Sequence, residues 1–240
     1  MTHSPLGHRI TSPMTPDRQP PTPEAPLVYV SPMLPRETHH PPLNKNWLVE
    51  IKWDGICALV SSEHDSQNPQ ITNKSGRDIS HAFPEITPGF VKLAKRHSFR
   101  LHGEIISGEG KTSEERSVAI GRSNRNPFSA RQGAEQYPCR FMAFDILDLD
   151  GRDLTGLPLQ TRKAILKRLI SESFQRRFNI SVTTPINAAD LQTVESGNPH
   201  LFGQLSLYEG LIFKRKNGLY VPGLTSNWLK FKFKKPTQKN

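Results

Sequence analysis

The 240-residue sequence is nearly without cysteine: its two thiols, Cys57 and Cys139, have no second pair and no histidine at zinc-ligand spacing. That excludes a disulfide framework and a cysteine-based zinc site, and both thiols are expected as reduced core groups. Long hydrophobic runs are also missing. No stretch approaches the roughly 20 apolar residues that cross a bilayer, so no membrane partner is expected. The N-terminus shows no basic segment followed by an apolar core, and its prolines oppose an amphipathic transit helix; a soluble, intracellular, cytoplasmic protein is the expectation. Acidic residues are in deficit. Asp and Glu number 22 against 32 Lys and Arg, a formal net charge of +10, which favours an anionic partner such as nucleic acid or a nucleotide.

What is present is unevenly spread. Residues 1–42 hold eleven of the 21 prolines and almost no periodic apolar pattern, so a mostly extended, disordered N-terminal extension is expected there. The folded domain is expected over 43–235, with 236–240 as a basic tail. Short apolar runs at 47–51, 56–61 and 70–73 read as strands, the first two as a hairpin turning at Asp54-Gly55. A helix is expected over 87–96 and a strand over 99–106. The polar, Gly/Ser/Arg-rich stretch 107–139 reads as a long loop with one short helix at 129–134. A strand over 140–149, helices over 159–173 and 188–194, and final strands over 210–214 and 228–233 complete the pattern. The class expected is α+β, with mixed, mostly antiparallel sheets flanked by helices.

Chemistry concentrates at strand ends. Lys52 closes an apolar strand between Glu50 and the Asp54-Gly55 turn, a placement that suits a nucleophile better than a solubilising charge, although a strand-end lysine paired with Asp54 is the plain alternative. Glu104 and Glu209 lie against apolar residues, where an unpaired carboxylate is costly; a hard divalent cation would take both, and so would neighbouring lysines. From Gln204 to the end there are eight bases against one acid, +7. There, lysines interleave with Trp228, Phe231 and Phe233, as in a strand with one basic and one apolar face, which suits a row of phosphates. Gly108-Glu109-Gly110-Lys111-Thr112 invites a phosphate-loop reading, but the first glycine of that signature would fall at Ile105, and no apolar helix follows.

Taken in order, Lys52-Trp53-Asp54-Gly55, Asn73-Lys74-Ser75-Gly76, His102-Gly103-Glu104, Phe141 to Asp145, Glu209-Gly210-Leu211-Ile212-Phe213-Lys214 and Trp228-Leu229-Lys230-Phe231-Lys232 resemble the successive motifs of the covalent nucleotidyltransferase superfamily. The resemblance covers about residues 44–235. Within that superfamily it is nearest the adenylation domain of ATP-dependent DNA ligases, of the ligase-D type, supported by Phe144 to Gly151, Leu157-Pro158-Leu159 and Arg162-Lys163. It implies the DNA ligase and mRNA capping nucleotidyltransferase fold, which is ATP-grasp-like.

By that resemblance, Lys52 attacks the α-phosphate of ATP and holds AMP, which passes to a 5′-phosphate at nicked or broken double-stranded DNA before the strand is sealed. Glu50 and the neighbouring backbone at Ile51 contact adenine, and Phe144 stacks on it. Glu104 meets the ribose or a metal, Glu209 a metal, Mg²⁺ or Mn²⁺. Lys214, Lys230 and Lys232 meet the phosphates, and Lys74 belongs to the same nucleotide-binding set. A nucleoid-associated repair role and a separate OB-fold or end-joining partner are implied as well, since the chain stops eight residues after Lys232 where such ligases continue into an OB-fold domain. The sequence departs from the pattern at Cys57 and Leu224, where the family carries arginine, at Lys74, also usually arginine, and at His102, usually aspartate. An RNA ligase or capping-type enzyme, or a DNA-end-binding relative without catalysis, are the alternatives.

Overall fold

The computed structural model describes residues 29–195, 205 and 207–233. Two sheets carry the architecture. In chain order the strands and helices are β1 (Met33–Glu37), β2 (Trp47–Lys52), β3 (Ile56–Ser62), β4 (Gln70–Asn73), α1 (Thr87–Ala94), β5 (Phe99–Ser107), α2 (Ser113–Ser123), α3 (Pro127–Gln136), β6 (Cys139–Leu149), β7 (Arg152–Asp153), α4 (Leu159–Leu169), α5 (Glu172–Arg177), β8 (Ile180–Val182), α6 (Ala188–Glu195), β9 (Gly210–Arg215) and β10 (Gly223–Lys232). The smaller sheet runs β1-β10-β9-β2; the larger runs β4-β3-β5-β6-β7, with β8 pairing parallel to β6. Apart from that pair and the parallel β1–β10 pair, strand pairing is antiparallel, so the expected α+β class holds.

Strand alternation sorts the side chains into layers. Trp47 and Val49 of β2, Leu211 and Phe213 of β9, and Leu229, Phe231 and Phe233 at the end of β10 pack on one side of the smaller sheet with Val194 of α6. Ala58, Val60, Leu101, Ile105 and Phe141 face away from that sheet, into the main core with α1 and α4. Between the sheets lies a third cluster of Met33, Leu59, Leu147, Tyr220 and Trp228. The remaining inward positions of both sheets are largely polar, with Ile212 and Phe144 among them, and they line a cavity.

Four expectations need correction. First, 47–51 and 56–61 form no hairpin: β2 pairs with β9, β3 with β4 and β5, so the chain crosses from one sheet to the other at Asp54-Gly55. The glycine serves that crossing, because a Cβ at Gly55 would lie 2.2 Å from the carbonyl oxygen of Ile105. Second, the folded part begins before 43: β1 lies inside the proline-rich stretch, and Tyr220 Oη accepts a hydrogen bond from Met33 N at 2.9 Å. Residues 1–28 and the expected tail 236–240 lie outside the described residues. Third, 107–139 is no long loop but carries α2 and α3. Fourth, 159–173 is two helices, α4 and α5, broken after Leu169, with Ser171 capping α5.

Candidate active site

A cavity of about 420 Å³ opens between the sheets, lined among others by Lys52, Glu50, Ile51, Lys74, Glu104, Phe144, Glu209, Lys214, Lys230 and Lys232. Every residue singled out from the sequence for catalysis, cofactor or metal therefore reaches one space. Alternation explains it: Glu50 and Lys52 on β2, Ile212 and Lys214 on β9, and Trp228, Lys230 and Lys232 on β10 share the inward face, opposite His102 and Glu104 of β5 and Phe144 of β6. The expected basic face of β10 is present, with Trp228 on the basic side rather than among the phenylalanines. Lys234, Lys235 and Lys239 lie outside the described residues.

The charged groups form an inner and an outer cluster. Inside, the Glu50 carboxylate is buried; Oε1 accepts from Lys163 Nζ and Oε2 from Lys214 Nζ at 2.6 Å. Burial alone would raise the Glu50 pKa, but the two ammoniums outweigh it and hold the carboxyl below its ordinary range. Lys214, itself buried, is lowered, first by burial, against the pull of Glu50. Its ammonium lies 4.3 Å from the Phe144 ring centroid and 4.4 Å from that of Trp228. Lys163 spends its other donors on Thr183 O at 2.8 Å and Thr183 Oγ1 at 3.0 Å. Next to it, buried Arg162 grips Asp145 with two 2.8 Å hydrogen bonds and so orients α4.

Nearer the opening, Lys52 Nζ donates to Glu209 Oε2, and Lys232 Nζ stands 3.2 Å from Glu209 Oε1. Burial pushes the Glu209 carboxyl upward, yet those two lysines hold it below its ordinary range. Glu104 behaves oppositely. Burial drives it up to about 7, reinforced by the Glu209 and Asp54 carboxylates and opposed by Lys52 and the Gly55 N–H. Lys230 faces Glu37 of β1 at 3.4 Å. Among the described residues, no three His, Cys, Asp or Glu side chains form a group able to hold a metal ion. Glu104 and Glu209 both line the cavity, and a cation held by two carboxylates would need other oxygen ligands, as Mg²⁺ does when it completes its shell from phosphates and water.

Two departures from the resembled pattern meet in space. Cys57 Sγ lies 3.3 Å from His102 Nε2, and His102 Nδ1 lies 3.2 Å from Tyr220 Oη, the same hydroxyl that accepts from Met33 N. The Tyr220 hydroxyl and the Cys57 thiol thus flank the two ring nitrogens of His102, one nitrogen donating and the other accepting in the neutral imidazole. Burial first, and then Lys214, keeps His102 neutral; burial first, and then Glu104, raises the Cys57 thiol. Leu224 is 62% exposed at the rim.

Sequence reasoning missed Lys163 as a partner of Glu50 and Thr183 as a partner of Lys163, the whole of β1, which supplies Met33, Leu34 and Pro35 to the cavity wall, and Arg116 of α2. A signal existed for α2: Thr112-x-x-Glu115 is a capping box, and both of its hydrogen bonds form. Asn126 followed by Pro127 announces α3 in the same way. Lys111, of the phosphate-loop-like stretch, pairs with Glu109 and lies 5.3 Å from the Tyr208 ring centroid.

A family model described as ATP dependent DNA ligase domain matches residues 32–232. The bifunctional non-homologous end joining protein LigD of Bacillus subtilis (strain 168) is 30% identical over 211 residues, 83% of this chain and 33% of that protein. A probable DNA ligase of Dictyoglomus turgidum is 28% identical over 186 residues, 77% of this chain and 30% of that protein. The chain thus spans about a third of the length of these curated relatives. Among solved structures, a mycobacterial DNA ligase D complexed with ATP and MES superposes with a TM-score of 0.60 at 26% identity, covering 85% of this chain and 60% of that one. No helix among the described residues is long and apolar enough to cross a membrane.

Proposed function

The chain belongs to the ATP-dependent DNA ligase domain family, and from that premise we propose that it transfers AMP from ATP through Lys52 to a DNA 5′-phosphate and so seals a broken strand. The observation that carries this reading is the convergence of Lys52, Glu209, Lys232 and Glu104 on one cavity whose deeper wall is aromatic and cationic. In the first step the neutral Lys52 amine attacks the α-phosphorus of ATP; the N–P bond forms, the bond to the bridging oxygen breaks, pyrophosphate leaves and the amine sheds a proton. An oxygen of the DNA 5′-phosphate next attacks the same phosphorus and returns the lysine. The 3′-hydroxyl then displaces AMP and closes the strand.

The residues divide this work by position. Phe144 offers a ring face for the base in the deep part of the cavity, beside the backbone of Ile51. Glu50 is read differently from the resemblance: with both oxygens held by lysines, it anchors Lys163 and Lys214 rather than presenting a free acceptor to adenine. Lys230 and Lys232, with Lys74 at the exposed rim, neutralise phosphate charge, the main task in phosphoryl transfer. A divalent cation, when bound at Glu104 and Glu209, would supply charge stabilisation at the phosphates. The name of the Bacillus relative, a non-homologous end joining protein, supports a nicked or broken duplex as the acceptor and an end-joining protein as the partner; an intracellular, nucleoid-associated setting and a separate OB-fold partner rest on the sequence resemblance.

Incubation with α-labelled ATP and Mg²⁺, followed by denaturing electrophoresis, tests the reading. Label is expected on the wild-type chain and none on Lys52→Ala, with transfer to nicked DNA. Absence of label from the wild type sinks it, labelling by GTP in place of ATP points to a capping-type enzyme, and transfer to RNA alone points to an RNA ligase.

A further inference from the structure

Arg116 is the only arginine among the described residues that line the cavity. It stands in the first turn of α2, where a cation opposes the helix dipole and so gains nothing from its own helix. The turn is nevertheless held firmly. Thr112 and Glu115 close a capping box, Glu115 also accepts from the N–H groups of Glu109 at 2.9 Å and Lys111 at 2.7 Å, and Gly110 O accepts from Asp54 N at 3.1 Å, tying this loop to the β2–β3 crossing. Arg116 is thereby carried to Asp54, with Nε 3.3 Å from Oδ1. Its side chain is half-exposed, and among the described residues Nη1 and Nη2 make no hydrogen bond. The guanidinium thus keeps its two-pronged edge unengaged, and that edge matches two oxygens of one phosphate in a way a lysine cannot.

Position says which phosphate. Along β2 and into the turn the order is Glu50, Lys52, Asp54, so Arg116 stands beyond the nucleophile from the deep cluster where Glu50 holds Lys163 and Lys214. We propose that Arg116 is a substrate ligand of this chain, binding the phosphate outside the nucleotide's α-phosphate: the departing pyrophosphate of ATP in the first step or the DNA 5′-phosphate in the second. Both occupy the same side of the reaction, since in one step a P–O bond breaks as N–P forms and in the other N–P breaks as P–O forms. With Cys57 and Leu224 carrying no charge at the wall, Arg116 of α2 supplies the one guanidinium that the described residues bring to the cavity. The assignment rests on the ligase reading above.

Full-length Arg116→Ala and Arg116→Lys test it in two arms: labelling from ATP together with pyrophosphate-driven reversal of the purified protein–AMP, and transfer from purified protein–AMP to nicked duplex. The expected result is a fall of about tenfold or more for Arg116→Ala in at least one arm, which identifies the phosphate bound. Arg116→Lys should restore only part of it, and thermal stabilisation by AMP, which lacks the outer phosphates, should be unchanged. Rates within about twofold of wild type in both arms, full rescue by lysine, or an equal loss of AMP binding would each overturn the proposal. If the wild type takes no label, the ligase reading fails instead; the preference for binding ATP over AMP then decides, and its survival in Arg116→Ala overturns the role.

Discussion

The inner and outer charge clusters use the same chemistry to opposite ends. Around Glu50, the carboxylate and the Lys214 ammonium are buried and that of Lys163 nearly so, each oxygen has its own lysine, and aromatic rings enclose Lys214. Around Glu209, two lysines share a carboxylate that is partly open to solvent, with Lys232 and Arg116 about half-exposed. Charges removed from water are expensive to separate, whereas those left in contact with it exchange partners at little cost. The inner cluster is a frame; the outer one is where ligands can replace protein partners.

Four measurements would break or sharpen that contrast. Lys52→Ala is expected to reduce covalent labelling by about 10³ or more while leaving the denaturant midpoint near wild type; retained label on another residue would dissolve the outer cluster's claim. Glu50→Gln, which strands two buried ammoniums, should cost about 3–5 kcal/mol in chemical denaturation. A cost like that of a surface pair would show that the inner cluster is no frame. Glu209→Gln should change stability by no more than about 1 kcal/mol yet slow labelling by about tenfold or more; equal effects on both would erase the distinction.

The smallest effect concerns pH. Glu104 is raised to about 7 in the fold, so between its unfolded value and that pH the unfolded chain releases a proton that the folded chain keeps. Stability contributed by this group should therefore fall as pH rises from about 4.5 to about 7 and level off above. Glu104→Gln should remove that slope from melting curves. Unaltered slopes would assign Glu104 an ordinary carboxyl and leave its charged form available to a cation at all these pH values.

The site was far more legible than the path of the chain. Lys52, Glu104, Glu209, Lys214, Lys230 and Lys232 could be read because a charge at an apolar strand end is costly unless it has work or a partner, and all six reach one cavity. Asp54-Gly55 misled because a turn dipeptide and a sheet-to-sheet crossing look alike; what distinguishes them is the Ile105 carbonyl pressed against Gly55, a contact from 50 residues away in sequence. The strand β1 was hidden for a similar reason. Met33–Glu37 has little periodic pattern and two proline neighbours, and its pairing is supplied entirely by β10. The helix α2 was missed by composition but not by capping chemistry, since its face is weakly apolar while the T-x-x-E start carries the information; α3 was foreseen in part, the helix expected over 129–134 lying inside Pro127–Gln136, and its Asn-Pro start marks the true beginning.

The pairing of β1 with β10 also sets a schedule. Met33 finds its partner in Gly223, 190 positions later, and the strand that carries Lys52, apart from a single bridge between Glu50 and Pro185, pairs with β9. During synthesis the larger sheet has its β3, β4, β5 and β6 strands by residue 149, but the sheet that carries Lys52 lacks its ladder partners until β9 and β10 have been made, a long-range closure of the slow kind. A chain halted before β9 therefore holds Lys52 on a strand without its ladder, and the cavity wall that Glu209, Lys214, Lys230 and Lys232 supply is not yet there.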